Sequence, residues 1–271
     1  MIRLLLSAPL LVWLLSAPAL AQGLRVSTVV YDATRLGDNG REVELSNSFA
    51  LFHNGRVYDY VEAAGEVVIF DPIARKFTVM NPDRGVFTSI AFPELTAILA
   101  ERAPKTEEYI NELASRKSPQ AQLASRLLKF QLNPTFETKN YPGSGAVLLT
   151  AASWKYHVST REWDPDQVES YLDYADWAAR LNFVLHPRNP FPEPRVALNT
   201  QLRELKNRMP VIVKLDRRPD ESLVLRAEHQ FVRNLTNRDR SLITGWNKSL
   251  ESTELKQVPL HRYQETVLAR R

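Results

Sequence analysis

The five histidines of this chain are scattered, and their spacing forms neither a metal site nor a catalytic pair. His53, His157, His186, His229 and His261 never lie three or four residues apart, and the chain contains no cysteine. Metal sites such as those of zinc need clustered nitrogen or sulfur ligands, so we predict no metal and no cofactor. His157 falls on the polar face of an alternating strand pattern, where an exposed or capping histidine is more common than a catalytic one.

Two aspartates beside a tryptophan are the sharpest candidate for enzyme chemistry. Asp173 and Asp176 lie three residues apart, next to Trp177, in a segment with helical periodicity. A carboxylate pair beside an aromatic ring can bind a sugar or act as acid and base. A solvated helix face explains the same spacing and is far more common. Hydrolysis using these groups or His157 is therefore kept as a minor alternative, and no catalytic residue is assigned.

The remaining motifs that often carry catalysis do not match their required context. Ser144 stands between Gly143 and Gly145, which is not the spacing of a nucleophile elbow, and the segment lies between two predicted strands. The nine glycines form neither a dinucleotide-binding fingerprint nor a phosphate-binding loop. We therefore expect a non-catalytic protein.

The N-terminus has the pattern of a secretory signal peptide. Arg3 precedes an apolar run from Leu4 to Leu15, and Ala19-Leu20-Ala21 places small residues at the positions that signal peptidase reads. The run is shorter than the roughly 20 apolar residues of a membrane-spanning helix. We predict cleavage after Ala21 and an exported protein, periplasmic or secreted, that is not an integral membrane protein after cleavage.

Charge and composition exclude several classes of protein. The chain has 271 residues, 44% of them hydrophobic, with 35 basic and 31 acidic residues. The basic residues are interleaved with acidic ones, whereas nucleic-acid binding needs a concentrated basic surface, so we predict no nucleic-acid partner. Without cysteine the exported chain has no disulfide bonds, and its stability must come from burial.

A β-hairpin is the clearest local element. Asn54-Gly55 is a strong turn signal because both central residues of a type I′ turn need positive φ. A two-residue loop pairs Leu51 with Tyr58 on one face and Phe52 with Val57 on the other. Both faces therefore carry apolar side chains, and we expect one face to be covered and the other to be lined in part by another segment.

Runs of strands alternate with runs of helices along the chain. Residues 48–132 and 135–208 each begin with strand patterns and end with helical ones, and two further strands follow. This order predicts an α+β fold, in which a curved, mainly antiparallel sheet (an incomplete barrel) packs against several helices. We predict that residues 1–21 are the signal peptide and that residues 22–271 form a single domain with a helical insertion around 166–208.

Two local predictions are less regular. Pro104 is expected to end the first helix, and a second helix is expected from Thr106 to Lys117, because proline in a helix interior removes a hydrogen bond and clashes with the preceding turn. The pattern from Leu242 onward is poorly defined until His261.

The strands at the centre of the chain resemble those of a known family. The segment Glu66–Pro82 consists of a buried strand, a short polar turn and a strand that ends in an Asn-Pro turn, and Trp154-Lys-Tyr-His-Val158 is a later alternating strand. This order is similar to that of the periplasmic lipoprotein carriers, the LolA and LolB superfamily. The resemblance implies an incomplete antiparallel barrel around helices, with an apolar cavity that holds acyl chains and no enzymatic step.

These observations lead to a predicted binding site and a predicted function. Six large side chains on the strands are expected to line the cavity: Phe70, Phe77, Met80, Phe87, Trp154 and Tyr156. We expect the protein to bind an apolar or amphipathic ligand, such as a lipid or a lipid-modified protein, between the sheet and the helices. The alternative is a cell-envelope interaction module without a ligand cavity. In that case the sheet edge or the Pro187–Pro194 loop would contact a protein partner whose identity the sequence does not give.

Overall fold

The computed structural model describes residues 23–186, 189–217 and 223–268. The predicted signal peptide and its cleavage site lie outside these residues. The described residues contain twelve strands: β1 (Leu24–Leu36), β2 (Glu42–His53), β3 (Arg56–Val61), β4 (Glu66–Asp71), β5 (Lys76–Asn81), β6 (Val86–Ala91), β7 (Glu137–Tyr141), β8 (Ala146–Thr150), β9 (Lys155–Glu162), β10 (Arg208–Asp216), β11 (Val224–Arg233) and β12 (Lys256–Gln257). They also contain six helices: α1 (Phe92–Ser115), α2 (Pro119–Leu132), α3 (Pro165–Leu185), α4 (Glu193–Arg203), α5 (Asn237–Glu251) and α6 (Leu260–Leu268).

The twelve strands form one curved, open sheet. Their order is β12-β6-β5-β4-β3-β2-β1-β11-β10-β9-β8-β7, and every neighbouring pair is antiparallel except β12 and β6. The two late strands β10 and β11 join the first half of the sheet to the second, because β11 pairs with β1 while β10 pairs with β9. The predicted α+β class and the curved, mainly antiparallel sheet are confirmed.

The hairpin of β2 and β3 has the register that its turn sequence predicts. Leu51 is opposite Tyr58, Phe52 is opposite Val57, and Asn54-Gly55 forms the connection. Both turn residues have positive φ, 50° for Asn54 and 73° for Gly55. A two-residue turn that requires left-handed backbone therefore determined the facing of every side chain in this pair of strands.

The two faces of the sheet are covered by different helices. The inner face, defined here as the one covered by α3 and α4, carries the larger core, which includes Phe70, Phe77 and Val79 from the strands and Leu172 and Leu198 from the helices. The outer face is covered by α5. Its smaller core is formed by residues of the strands, of α5 and of the segments that flank α5: Leu51, Tyr58, Val67, Ile69, Met80, Leu235, Ile243, Trp246 and Leu255. The alternation of apolar residues on both faces of β4 follows from this double cover.

Helix α1 runs through Pro104, so the predicted break at this residue is wrong. Proline removes a single backbone donor, and the helix continues because its second half is held by packing against α2. Ile110 and Leu113 are buried, and the Ser125 hydroxyl of α2 donates a 3.0 Å hydrogen bond to the carbonyl of Ile110.

The C-terminal segment passes around one edge of the sheet. Helix α5 lies on the outer face, β12 then pairs with the edge strand β6, and α6 places Tyr263 and Val267 in the core of the inner face. The Tyr263 hydroxyl donates a 2.7 Å hydrogen bond to the carboxylate of Glu66 on β4. The segment thus connects both faces and covers the β6 edge.

Candidate functional site

A cavity of about 420 Å³ opens at one end of the inner face. It lies between the β2–β3 turn, the β4–β5 turn, the start of α1 and the side of α3. Its lining includes apolar and polar side chains from all four: Leu24, Phe52, His53, Asn54, Gly55, Arg56, Val57, Phe70, Pro72, Arg75, Phe92, Gln167, Ser170, Asp173 and Trp177.

The floor of the cavity is apolar and aromatic. Phe70 and Phe92 are buried, and their rings stack with 5.5 Å between centroids. The ring of Trp177 also stacks on Phe92, with 3.9 Å between centroids. Phe52 contacts the ring of Tyr174 edge-on at 5.9 Å. A surface of this kind favours methylene chains or rings over water because it removes apolar area from solvent.

The local sequence explains why these residues meet. On β2, β3 and β4, Phe52, Val57 and Phe70 occupy neighbouring positions on the inner face, since Val57 is paired with both of the others. Phe92 begins α1 directly after β6, and its backbone N–H donates a 2.9 Å hydrogen bond to the carbonyl of Arg75. This bond fixes the β4–β5 turn against the floor of the cavity.

The mouth of the cavity is polar and exposed. The side chain of Arg56 forms a 2.7 Å ion pair with the buried carboxylate of Asp71. On the opposite side, Asp173 accepts a 3.0 Å hydrogen bond from Arg203. Arg75, which also lines the mouth, forms no ion pair with a described residue. The site therefore combines an apolar interior with charged groups at its opening, which is the arrangement expected for an amphipathic ligand.

Four of the six predicted ligand-binding residues lie on the inner face. Phe70 lines the cavity, and Phe77 lies behind it, with ring centroids 5.3 Å apart. Trp154, just before β9, and Tyr156, on β9, lie in a different part of the inner core. There the ring of Trp154 contacts Phe130 of α2, and the ring of Tyr156 contacts Phe136, which follows α2. Phe77, Trp154 and Tyr156 are therefore core residues that do not line the cavity.

The other two predicted residues lie on the outer face. Met80 and Phe87 are paired across β5 and β6 and pack in the core beneath α5. Phe77 and Met80 are three residues apart on one strand, an odd spacing that places them on opposite faces. The structure thus divides the predicted set between two faces, and only Phe70 belongs to the cavity.

The cavity residues missed by the sequence analysis are mostly in turns and on α3. Arg56 is the first residue of β3, directly after the hairpin turn, Arg75 lies in the β4–β5 turn, and Trp177 was considered only as a neighbour of the aspartates. The structure gives Arg75 a positive φ of 51° in the tight turn after β4, a feature that its residue type does not announce. Alternation reports which face a residue occupies but not which end of the sheet is open.

The candidate hydrolytic groups do not share a cleft. Asp176 accepts hydrogen bonds from Asn199 at 2.7 Å and pairs with Arg203 at 2.9 Å, so Arg203 of α4 engages both Asp173 and Asp176 of α3. His157 is exposed on β9, on the face opposite Tyr156 and therefore opposite α3. The aspartates serve as an ion-paired contact between two helices.

Titratable side chains also lie deep on the inner face. Burial raises the pKa of Asp59 to about 6, although the hydroxyl of Tyr174 donates a hydrogen bond to its carboxylate and partly offsets this effect. Burial also lowers the pKa of His229 to about 3, helped by the positive charge of Arg195. The Nδ1 atom of His229 is 2.8 Å from the hydroxyl of Thr28. Both groups are consequently uncharged or nearly so over part of the range below neutral pH.

A second cleft, of about 630 Å³, lies between α1, α2 and the segment that precedes α4. Arg102, Lys105 and Arg217 contribute positive charge, and the rings of Phe183 and Phe191 are in tilted contact with 4.3 Å between their centroids. The cleft includes part of the proline-rich segment, of which residues 187 and 188 lie outside the described residues.

Comparisons of the chain with protein-family models and with curated proteins find no match. None of the helices in the described residues is both long and apolar enough to cross a membrane.

Proposed function

We propose that this protein is exported and that it binds an apolar or amphipathic ligand, a lipid or the lipid group of a modified protein, in the cavity on the inner face. The observation that carries the proposal is the combination of an aromatic floor with a polar, solvent-exposed mouth at the open end of the sheet. A closed core would need no such opening.

The size of the cavity limits what it can hold. Small-molecule sites have volumes of roughly 300–1,000 Å³, and this cavity, at about 420 Å³, lies near the lower end of that range. One acyl chain or a compact ring system matches this volume, whereas several acyl chains would need more space. The proposed ligand therefore has one principal apolar segment.

The architecture supports the proposal in the same direction. The resemblance to the lipoprotein carriers implies an incomplete antiparallel barrel around helices, and here α3 packs on the inner face of the open sheet and forms one wall of the cavity. Export, predicted from the N-terminal sequence, would place such a protein where lipids must cross an aqueous compartment.

The test is native mass spectrometry of the mature protein purified from its source envelope, followed by solvent extraction of any bound molecule. Ser170→Trp is the blocking variant, because Ser170 is exposed, lines the mouth and contributes nothing to the core. Asp166→Trp is the matched control, since Asp166 is exposed on the same helix and does not line the cavity. We expect an added lipid mass on the wild type and the control but not on Ser170→Trp.

Two results would count against the proposal. One is a bare protein mass that stays unchanged after incubation with single-chain lipids. The other is equal lipid retention by all three proteins, which would place the lipid elsewhere on the surface. Equal melting temperatures of the two tryptophan variants would show that any difference in binding does not arise from unfolding.

A second candidate function is a cell-envelope interaction module, and the cationic cleft favours it. Its arginine and lysine side chains complement an acidic segment of a protein partner, and aromatic rings are frequent at the centre of such contacts. Tyr109 lines this cleft and is 49% exposed, while Tyr141 is 47% exposed on the distant edge strand β7.

These two tyrosines allow a matched crosslinking experiment. A photoreactive phenylalanine analogue at Tyr109 should trap an acidic partner in living cells, and the same analogue at Tyr141 should not. Crosslinking of the same products from both positions would argue against a specific cleft, and so would the absence of any product from Tyr109.

A further inference from the structure

We propose that the cavity selects amphiphiles whose polar end is negatively charged, with the charge placed at Arg75. The inference rests on the proposed ligand binding and specifies the chemical class of the ligand. It follows from the position of one guanidinium group at the mouth, above an apolar floor, in a site where the other lining charges are already matched.

The charges of the mouth can be assigned individually. Arg56 is paired with Asp71, with Nε and Oδ2 2.7 Å apart, and Asp173 is paired with Arg203 at 3.0 Å. Arg75 is the third charged residue of the lining, and no described carboxylate forms an ion pair with it. A ligand that carries an anionic group gains a charge-assisted hydrogen bond there without breaking an existing pair.

The position of Arg75 is fixed by the fold. It occupies the tight turn between β4 and β5 with φ 51°, and its carbonyl accepts a hydrogen bond from the backbone N–H of Phe92. Phe92 is part of the aromatic floor. The turn therefore fixes the backbone of Arg75 at the mouth, and its exposed side chain lines the opening where an apolar chain would enter, so that head and tail can be bound together.

The opposite wall argues against a cationic head group. Asp173 already pairs with Arg203, which Glu169 and Asp176 also engage, so its charge is matched and attracts a ligand cation less than an unpaired carboxylate would. A neutral head group would make hydrogen bonds but would leave the charge of Arg75 without a partner. An anion is the class that the existing pairing pattern accommodates.

The experiment compares three ligands that share a ten-carbon chain. Decanoate, decanol and decyltrimethylammonium are titrated into the full mature protein by calorimetry, at pH 8 and below their micelle-forming concentrations. We expect decanoate to bind most tightly. Substitution Arg75→Gln should weaken decanoate binding about two- to fivefold, the range of an exposed ion pair, and leave decanol binding unchanged.

Lys76→Gln is the matched control because Lys76 is the adjacent residue, is exposed and carries the same charge, but does not line the cavity. It should leave decanoate binding unchanged. Added salt should weaken decanoate binding by the wild type and have a smaller effect on Arg75→Gln.

The possible outcomes separate this inference from the function on which it rests. Equal affinity for decanoate and decanol, tighter binding of the cationic ligand, or equal losses in Arg75→Gln and Lys76→Gln would overturn the selection of an anion while ligand binding itself stands. If none of the three ligands binds, the proposed ligand-binding function fails together with the inference.

Discussion

Asp59 shows how a single buried carboxyl group connects the sheet to α3 and makes stability depend on pH. Its pKa is raised from 3.8 to about 6 by burial, so between about pH 4 and pH 6 the folded protein holds a proton that the unfolded chain has released. The stabilisation from the protonated group is complete below pH 4 and is lost as the pH rises through 6.

We predict that Asp59→Asn removes this dependence. Relative to the wild type, the variant should gain stability between pH 4 and pH 7, by up to about 3 kcal/mol from the size of the shift. Urea unfolding at both pH values measures the difference. His229 affects stability over an overlapping pH range with the opposite sign, because its pKa is lowered from 6.5 to about 3 on folding, but it is present in both proteins and its contribution cancels.

Asp38→Asn is the control for this prediction, since Asp38 is exposed in the connection between β1 and β2. It should not change the difference in stability between the two pH values. A difference between wild type and Asp59→Asn that is the same at pH 4 and pH 7 would show that Asp59 does not titrate as described.

The sequence predicted the facing of residues better than their roles. The pairing of Phe52 with Val57 followed from Asn54-Gly55 alone. Phe70 was expected on a buried strand and in the lining of the cavity, and it lies in both places. Arg75 carried no comparable signal, because its importance depends on the absence of an acidic partner nearby, and partners distant in sequence are determined by the packing of whole elements.

At the level of elements, α5 is the helix that the sequence left undefined and that the outer face requires. Trp246 packs at 6.1–6.3 Å between ring centroids from Phe49, Tyr58 and Tyr60 of the hairpin. The start of the helix is a capping box: the hydroxyl of Thr236 accepts from the backbone N–H of Asp239, and the carboxylate of Asp239 accepts from the backbone N–H of Thr236. Thr-x-x-Asp was therefore a readable signal for this helix.

We predict that Thr236→Ala destabilises the protein by about 1 kcal/mol, the usual cost of removing an N-cap hydroxyl. The matched control is Thr244→Ala on the same helix, where the hydroxyl donates to the carbonyl of Arg240 and the residue is exposed. This change should stay within about 0.5 kcal/mol of the wild type. Urea unfolding of both variants tests the prediction, and equal losses would show that the capping box adds nothing beyond an ordinary surface threonine.

The continuation of α1 through Pro104 shows where local rules reach their limit. Proline disfavours a helix interior, and no local pattern around Pro104 indicates that packing compensates. The compensation comes from α2, whose contact with the second half of α1 at Ile110 depends on the fold. Predictions of single elements succeeded where the signal was local, and failed where packing against a neighbouring element determined whether a helix continued.

At the level of the whole molecule, an open sheet must protect two edges from pairing with other chains. The β7 edge is protected by its composition, since all five of its residues are exposed and Glu137 and Lys139 are charged. The β6 edge is protected by the C-terminal segment, in which the backbone N–H of Lys256 donates to the carbonyl of Gly85 and that of Val258 donates to Phe87. The two edges thus use different solutions to the same problem.

This difference leads to a prediction for a chain that ends at Glu251. Loss of β12 and α6 leaves the carbonyl groups of Gly85 and Phe87, at the outer edge of β6, without their backbone donors. It also uncovers the inner core around Glu66, to which the Tyr263 hydroxyl donates. We expect the shortened chain to self-associate, with a higher mass by light scattering than the full chain at the same concentration. Lys256→Pro tests the edge alone, because it removes one pairing donor while keeping α6.

The two variants separate edge protection from simple unfolding. If Lys256→Pro retains the circular dichroism of the full chain and still forms larger species, the unpaired β6 edge is the cause. If both variants keep the mass of the full chain, the edge is inert and the C-terminal segment acts only by closing the inner core. In that case Tyr263→Phe should reproduce the stability loss of the shortened chain in part, by about 1–3 kcal/mol, because the buried carboxyl group of Glu66 loses this donor.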